Sequence, residues 1–123
     1  MFEKKEDKLI ILLTKLLKET KNNEVTWHSK SAPEFLTIGT DYIIQNYFYI
    51  DYKGRRLVLF HRRYKQYSGE FEILYWTGET KFAIVDEDSI LWESNEYIPV
   101  INDLYNYVKQ QASGLNDLLD GLI

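Results

Sequence analysis

The stretch from residue 42 to residue 92 most constrains the fold, because strand-forming segments alternate there with turns. Five of its segments are rich in aromatic and β-branched residues: 42–50, 56–64, 70–76, 81–85 and 90–92. Residues typical of turns separate them at 51–54, 66–69, 77–80 and 86–88. This pattern predicts an antiparallel sheet built from consecutive hairpins.

Helices are predicted on both sides of this region. Apolar residues recur every three or four positions in two stretches, which predicts amphipathic helices over residues 5–21 and from about 95 to 113. Pro99 falls in the first turn of the second helix, where its missing N–H costs nothing, and Gly114 ends that helix. A last helix over 116–122 is expected to bury its leucines. Two short strands are predicted at 25–27 and 36–38.

The order of these elements predicts an α+β fold. We expect an antiparallel sheet of about five strands flanked by an N-terminal and a C-terminal amphipathic helix, plus a short last helix. The chain has 123 residues, of which 45% are hydrophobic, and this fits one domain over 1–123 and excludes wholesale disorder. It contains no cysteine, which excludes a disulfide scaffold and a thiol nucleophile.

The N-terminal residues predict neither a signal peptide nor a membrane anchor. The first seven residues are too acidic for a signal peptide, and the apolar run at 9–13 is far shorter than a membrane span. We therefore expect a cytoplasmic protein that does not associate with membranes.

Alternation along the strands sorts the side chains of the two central hairpins onto two faces. The simplest registers place residue 49 opposite 58 and residue 64 opposite 71. An aliphatic face then collects Ile44, Phe48, Ile50, Leu57, Leu59, Leu74 and Trp76. The opposite face, called here the Tyr/Arg face, collects Tyr47, Tyr49, Arg56, Val58, Phe60, Arg62, Tyr64, Phe71, Ile73 and Tyr75. We expect the helices to pack on the aliphatic face.

The Tyr/Arg face is the predicted binding surface, because tyrosine and arginine tolerate partial exposure and dominate binding hot spots. The predicted contact residues are Tyr47, Tyr49, Arg56, Phe60, Arg62, Tyr64 and Tyr75. A protein partner or a second copy of the chain, forming a homodimer, is one interpretation. A nucleotide or single-stranded RNA stacked on the same rings is the alternative. A helix packed over these rings would instead make the face a second core layer.

Charge is distributed unevenly along the chain, whose formal net charge is −4. Residues 53–68 carry six basic residues and no acidic one, whereas residues 69–123 carry two basic and eleven acidic ones. The acidic balance argues against binding to duplex DNA. The expected register pairs Arg63 with Glu72 and Lys65 with Glu70, and it leaves Arg56 and Arg62 without acidic partners.

No set of residues predicts catalysis, a metal or a cofactor. His28 lies near serines and upstream of Asp41, but the sequence around it has no nucleophile-elbow pattern. Glu79-Thr80-Lys81 matches the Glu-x-Lys element of a large nuclease superfamily, with Asp51 as a conceivable upstream metal ligand. The preceding Thr77-Gly78 predicts an exposed turn there instead. The expectation is a non-enzymatic binding protein with no catalytic residue.

The layout resembles small uncharacterised accessory proteins of bacteria, their phages and mobile elements. The similarity lies in a leucine/lysine helix that leads into Asn-Glu-Val-Thr-Trp, in a tyrosine-rich sheet, and in a closing helix that ends in residues 104–119. It spans most of the chain but includes no catalytic motif. The resemblance implies a bacterial or phage accessory protein, such as an inhibitor that acts by binding another protein.

Overall fold

The structure, a computed structural model, describes residues 5–123. Its elements are α1 (Lys5–Lys21), β1 (His28–Ser29), a 3-10 turn (Glu34–Leu36), β2 (Ile43–Tyr52), β3 (Arg55–Ser68), β4 (Ile73–Val85), β5 (Ile90–Glu93), α2 (Pro99–Ser113) and α3 (Leu115–Leu122). The strands form one antiparallel sheet in the order β1-β2-β3-β4-β5. The predicted α+β fold is therefore confirmed.

Both long helices pack on the aliphatic face of the sheet, as predicted. Their buried residues join those of the central strands in the main core: Leu13, Leu16, Phe48, Ile50, Leu57, Leu59, Phe82, Ile101, Leu104 and Val108. The helices bury one stripe each because their apolar residues recur at helical spacing. Thr20 and Trp27 join the core through a hydrogen bond of 3.0 Å from the indole Nε1 to Oγ1 of Thr20.

The first central hairpin has the expected register over most of its length. Tyr49 pairs with Val58 across a turn at Lys53 and Gly54, both of which have positive φ, as a two-residue hairpin turn requires. A bulge between Gln45 and Phe48 shifts the register further along β2. The bulge moves Ile44 to the Tyr/Arg face, so its predicted position on the aliphatic face is wrong.

The second central hairpin is longer than the sequence predicted. β3 continues to Ser68, which pairs with Ile73, and Tyr64 therefore pairs with Thr77 rather than residue 71. Glu72 adopts a positive φ of 52° in the connecting turn. The error amounts to six residues, an even number, so the predicted faces of the β4 side chains survive. Phe71 lies in the turn and belongs to neither face.

The expected turn at 77–80 is wrong, because β4 runs without interruption through these residues. Gly78 lies inside the strand, and this position requires glycine because the imidazole of His61 occupies the space that a side chain would need. A Cβ built on Gly78 would lie 2.5 Å from His61 Nε2. The glycine thus marks a close approach between neighbouring strands, which sequence alone does not distinguish from a turn.

Several local predictions are also wrong. The strands predicted at 25–27 and 36–38 are absent: β1 contains His28 and Ser29, and Leu36 ends the 3-10 turn. α2 begins at Pro99, four residues later than expected. The leucines of α3 at positions 118, 119 and 122 are exposed rather than buried, because no other element covers that side of the helix within residues 5–123.

Candidate functional site

The centre of the Tyr/Arg face is covered by the chain itself. Residues 32–36, which include the 3-10 turn, pack across it and form a second core of Leu36, Tyr47, Val58, Phe60, Ala83 and Val85. Tyr47 and Phe60 are buried, with ring centroids 6.0 Å apart. Their predicted exposure on a binding surface is therefore wrong. The expectation that no long helix covers this face holds, but a loop takes that position.

Tyr47 is enclosed without a partner for its hydroxyl group. Only 2% of the residue is exposed, and its Oη forms no hydrogen bond with the described residues. Burial raises the pKa of Tyr47 to about 12, because the phenolate would lose its hydration, and the nearby Arg56 charge opposes the shift only in part. The side chain acts as a core residue that carries a polar atom.

Arg56 and Tyr49 form a paired unit at one end of this face. The guanidinium of Arg56 donates two hydrogen bonds to the Asp51 carboxylate, at 2.9 and 3.0 Å, and lies 4.4 Å from the centroid of the Tyr49 ring. These hydrogen bonds lower the pKa of Asp51 and raise that of Arg56. Arg56 was expected to lack an acidic partner, and this expectation is wrong.

A groove of about 490 Å³ separates this unit from the covering loop. Its charged lining residues are three cations and three carboxylates: Lys30, Arg55, Arg56, Asp51, Asp86 and Glu87. The opposite charges balance. The lining of the groove therefore carries no net formal charge, and its composition does not favour a phosphate group.

Arg62 belongs to a cluster of four charges at the other end of the face. Its Nη2 lies 2.6 Å from Glu79 Oε1, and its Nη1 lies 3.5 Å from Glu93 Oε2. The buried ammonium of Lys81 lies 3.8 and 3.5 Å from the same two oxygens and donates to the carbonyl of Ser94. The ring of Tyr42 covers the Arg62 guanidinium at 4.6 Å. Arg62, like Arg56, is thus already paired.

The Glu-x-Lys element lies inside β4, but the arrangement around it differs from a metal site. Glu79 and Lys81 are ion-paired within the cluster of four charges. Asp51 pairs with Arg56, six positions along β3 from the Arg62–Glu79 pair, a separation of roughly 20 Å at 3.3 Å per residue. Among residues 5–123 no three histidine, aspartate or glutamate side chains converge on a point that could hold a metal.

The two histidines occupy unrelated positions. His28 is exposed on β1, and its ring lies 5.4 Å from that of Tyr49. His61 is half-buried between Tyr105 and Thr80, with Nδ1 3.4 Å from the threonine hydroxyl. Burial, together with the charges of Arg63 and Lys109, lowers the pKa of His61.

Besides the exposed leucines of α3, a second exposed apolar surface lies further along the second hairpin, in residues 64–77, called here the hairpin arm. β2 pairs with β3 only as far as Arg63, and β5 pairs with β4 only at residues 83–85, so the arm is a two-stranded ribbon that extends beyond the sheet. Six large apolar side chains are exposed along it: Tyr67, Phe71, Ile73, Leu74, Tyr75 and Trp76. Tyr64, at its base, is half-buried against Tyr42.

Arg63, just before the arm, and Lys65, within it, contact an aromatic ring rather than forming ion pairs with Glu72 and Glu70. Arg63 lies opposite Gly78 and Lys65 opposite Trp76, and each charged group lies 5.3 Å from the centroid of the Trp76 ring. The expected pairs of Arg63 with Glu72 and of Lys65 with Glu70 are wrong because the turn lies three residues further along the chain. Cations and indole together form one side of the arm.

Sequence reasoning assigned Tyr75 correctly to an exposed position on the Tyr/Arg side, but it missed the arm as a separate feature. Residues 66–68, which were expected in a turn, are Gln-Tyr-Ser and contain no glycine, proline or asparagine, so the sequence was also compatible with a longer β3. The exposed face therefore moves from Tyr47 and Phe60 to the arm. Of the predicted contact residues, Tyr75 lies on the arm and Tyr64 lies at its base.

The comparisons with known proteins bring no relative: no family model, curated protein or solved structure matches the chain. None of the helices described over residues 5–123 has the length and apolar character needed to cross a bilayer.

Proposed function

We propose that this chain is a non-enzymatic binding protein that holds a protein partner through the hairpin arm. The exposure of six large apolar side chains on a ribbon of two strands carries the proposal. Phe71 is 68% and Leu74 66% exposed, and exposed apolar side chains lie on both faces of the ribbon. Large exposed apolar surfaces usually mark interaction sites in soluble monomers.

The energetics of an isolated hairpin support the same proposal. A two-stranded ribbon is marginally stable in water, because it buries too little apolar surface to offset the conformational entropy that its chain loses on folding. A partner packed against the arm would supply the missing third layer or strand. The polar groups of Tyr67, Tyr75 and Trp76 suit such a site, since these residues combine apolar area with a hydrogen-bonding group.

The paired state of the arginines favours a protein partner over a nucleotide or single-stranded RNA. The nucleic-acid alternative depended on Arg56 and Arg62 as free cations, whereas both hold carboxylates. An accessory or inhibitor protein of the bacterial or phage kind would act by covering a surface of its target, for which the arm supplies the contact area.

Capture from extract of the source cell tests this proposal. The arm variant combines Phe71→Ser and Leu74→Ser, and the control variant combines Ile38→Ser and Leu118→Ser, which are similarly exposed elsewhere. We expect wild type and the control to retain one partner that the arm variant loses. If the control variant loses the partner and the arm variant retains it, the proposal is contradicted, and the binding site lies nearer α3.

Calorimetry with the purified partner then identifies the kind of contact. Burial of the arm predicts a negative heat-capacity change on binding. It also predicts an affinity that changes little between roughly 50 and 200 mM salt, a range over which binding through phosphate contacts weakens steeply. A steep loss of affinity over this range, or a captured RNA in place of a protein, would refute the proposal in favour of the nucleic-acid alternative.

A further inference from the structure

The outer edge of β4 carries no strand partner along the hairpin arm. β5 pairs only with residues 83–85, and the N–H of Ser94 bonds to the carbonyl of Phe82. From Ile73 to Lys81, no strand within residues 5–123 pairs with this edge. An open strand edge presents unpaired N–H and C=O groups to any other strand of suitable shape.

The composition of this edge differs from that of the other edge of the arm. Residues 73–77 read Ile-Leu-Tyr-Trp-Thr, with no charge and no proline and with β-branched or aromatic residues at four of the five positions. The β3 edge carries Lys65, and Arg63 immediately precedes the arm. Proteins commonly protect open edges with charged residues, lysine above all, or with proline. The β3 edge of the arm is protected in this way, and residues 73–77 are not.

We propose that the partner of the arm is a second copy of this chain, whose β4 pairs antiparallel with β4 about a two-fold axis at Tyr75. This inference rests on the proposed function, since it names the occupant of the same arm. Tyr75 then faces Tyr75 of the second copy, Leu74 faces Trp76, and Ile73 faces Thr77. Such an interface is isologous and closes after two subunits.

This register brings no like charges together. The residues that it pairs, 73–77, carry no charge, and Glu72 lies in the turn outside the paired strands. The self-pairing therefore avoids the repulsion that like charges directly opposite each other would cause in a sheet.

The area available predicts a weak dimer. Four side chains of β4, at positions 73–76, are roughly half exposed, and complete burial would remove on the order of 100 Å² from each. The resulting upper limit of roughly 800 Å² for both copies lies below the range of stable specific interfaces. We therefore expect a weak dimer that forms only at micromolar or higher concentration of the chain.

Sedimentation velocity across the micromolar range tests the proposal. We expect wild type to shift from monomer to dimer as concentration rises. Tyr75→Lys and Tyr75→Glu should each remain monomeric, because each variant places a like charge against itself at the two-fold axis. An equimolar mixture of the two should form a heterodimer. Tyr67→Lys, an equivalent change on the other strand of the arm, should leave the dimer intact.

Oxidative cross-linking provides a second readout. The chain contains no cysteine, so Tyr75→Cys introduces a single thiol. We expect it to form a covalent dimer far faster than Tyr67→Cys, whose thiols would lie several strands apart. Equal rates for the two variants would overturn the proposed axis, even where wild type dimerises.

Two other outcomes separate this inference from the proposed function. A wild-type chain that stays monomeric up to millimolar concentration overturns the dimer. The proposed function would still hold if, in the capture experiment, the arm variant loses a protein other than this chain that wild type retains. A dimer that survives Tyr75→Lys overturns the pairing of β4 edges. Circular dichroism of each variant establishes that the fold is retained.

Discussion

Replacing Tyr47 by phenylalanine should stabilise the protein, although it removes a polar group from a tyrosine-rich face. The hydroxyl of Tyr47 is buried and has no hydrogen-bond partner among the described residues. An unsatisfied buried polar group costs about 1–3 kcal/mol, so Tyr47→Phe should raise the free energy of unfolding by about 1–2 kcal/mol. The aromatic contact with Phe60 and the approach of Lys30 to the ring both remain.

Tyr105→Phe is the matched control, with the same chemical change and the opposite expected sign. The hydroxyl of Tyr105 accepts a hydrogen bond of 3.0 Å from Asn46 Nδ2, so its removal should lower the free energy of unfolding by about 1 kcal/mol. Urea denaturation at pH 7 measures both variants, and unchanged slopes would show that neither alters the surface exposed on unfolding. A Tyr47→Phe variant less stable than wild type would refute the conclusion that this hydroxyl lacks a partner.

Alkaline pH gives an independent measure of the same environment. The pKa of Tyr47 is about 12 in the folded protein and about 10 in the unfolded chain, so the unfolded chain releases this proton first. The free energy of unfolding should therefore fall between pH 10 and pH 12, by roughly 2–3 kcal/mol from this group. The Tyr47→Phe variant lacks the contribution, so its advantage over wild type should widen across that range.

Three further outcomes test the core. Gly78→Ala should lower the free energy of unfolding by about 1–3 kcal/mol in urea denaturation, because the new methyl group would displace the ring of His61, whereas Gly69→Ala meets open space and should change little. Thr20→Val should cost about 1–3 kcal/mol by leaving the indole N–H of Trp27 without its acceptor, and Thr20→Ser should restore most of the loss. Since burial lowers the pKa of His61 below that of the unfolded chain, wild type should lose stability as pH falls below about 6.5, and His61→Gln should lose less.

Much of the architecture follows from local patterns in the sequence. Leucines at helical spacing predicted α1 because a helix brings every third or fourth residue to one side, and α1 buries that side. Lys53-Gly54 supplies the positive φ angles of a tight hairpin, so the pairing of Tyr49 with Val58 could be predicted. The assignment of β4 side chains to faces survived a register error because the error was an even number of residues.

The candidate site was less predictable, because exposure depends on what packs against each strand. Tyr47 and Tyr75 lie on the same side of the sheet and have the same chemistry, yet the loop at 32–36 covers the first and nothing in the described chain covers the second. Sequence patterns indicate the side on which a residue lies. They do not indicate how far a covering loop extends.

The sequence by itself determined the helices, most strands of the sheet and the two faces of the central strands, because these features depend on the periodicity of neighbouring residues. The pairing of Arg56 with Asp51 follows from the predicted register of the first hairpin, which places the two residues opposite each other. The tertiary structure alone decided that Arg62 is paired with Glu79 and Glu93, that Gly78 lies within a strand and that the hairpin arm extends past its neighbours. Each of these depends on contacts between residues distant in the chain or on where neighbouring strands end. Such contacts arise only when the register of a whole hairpin is fixed.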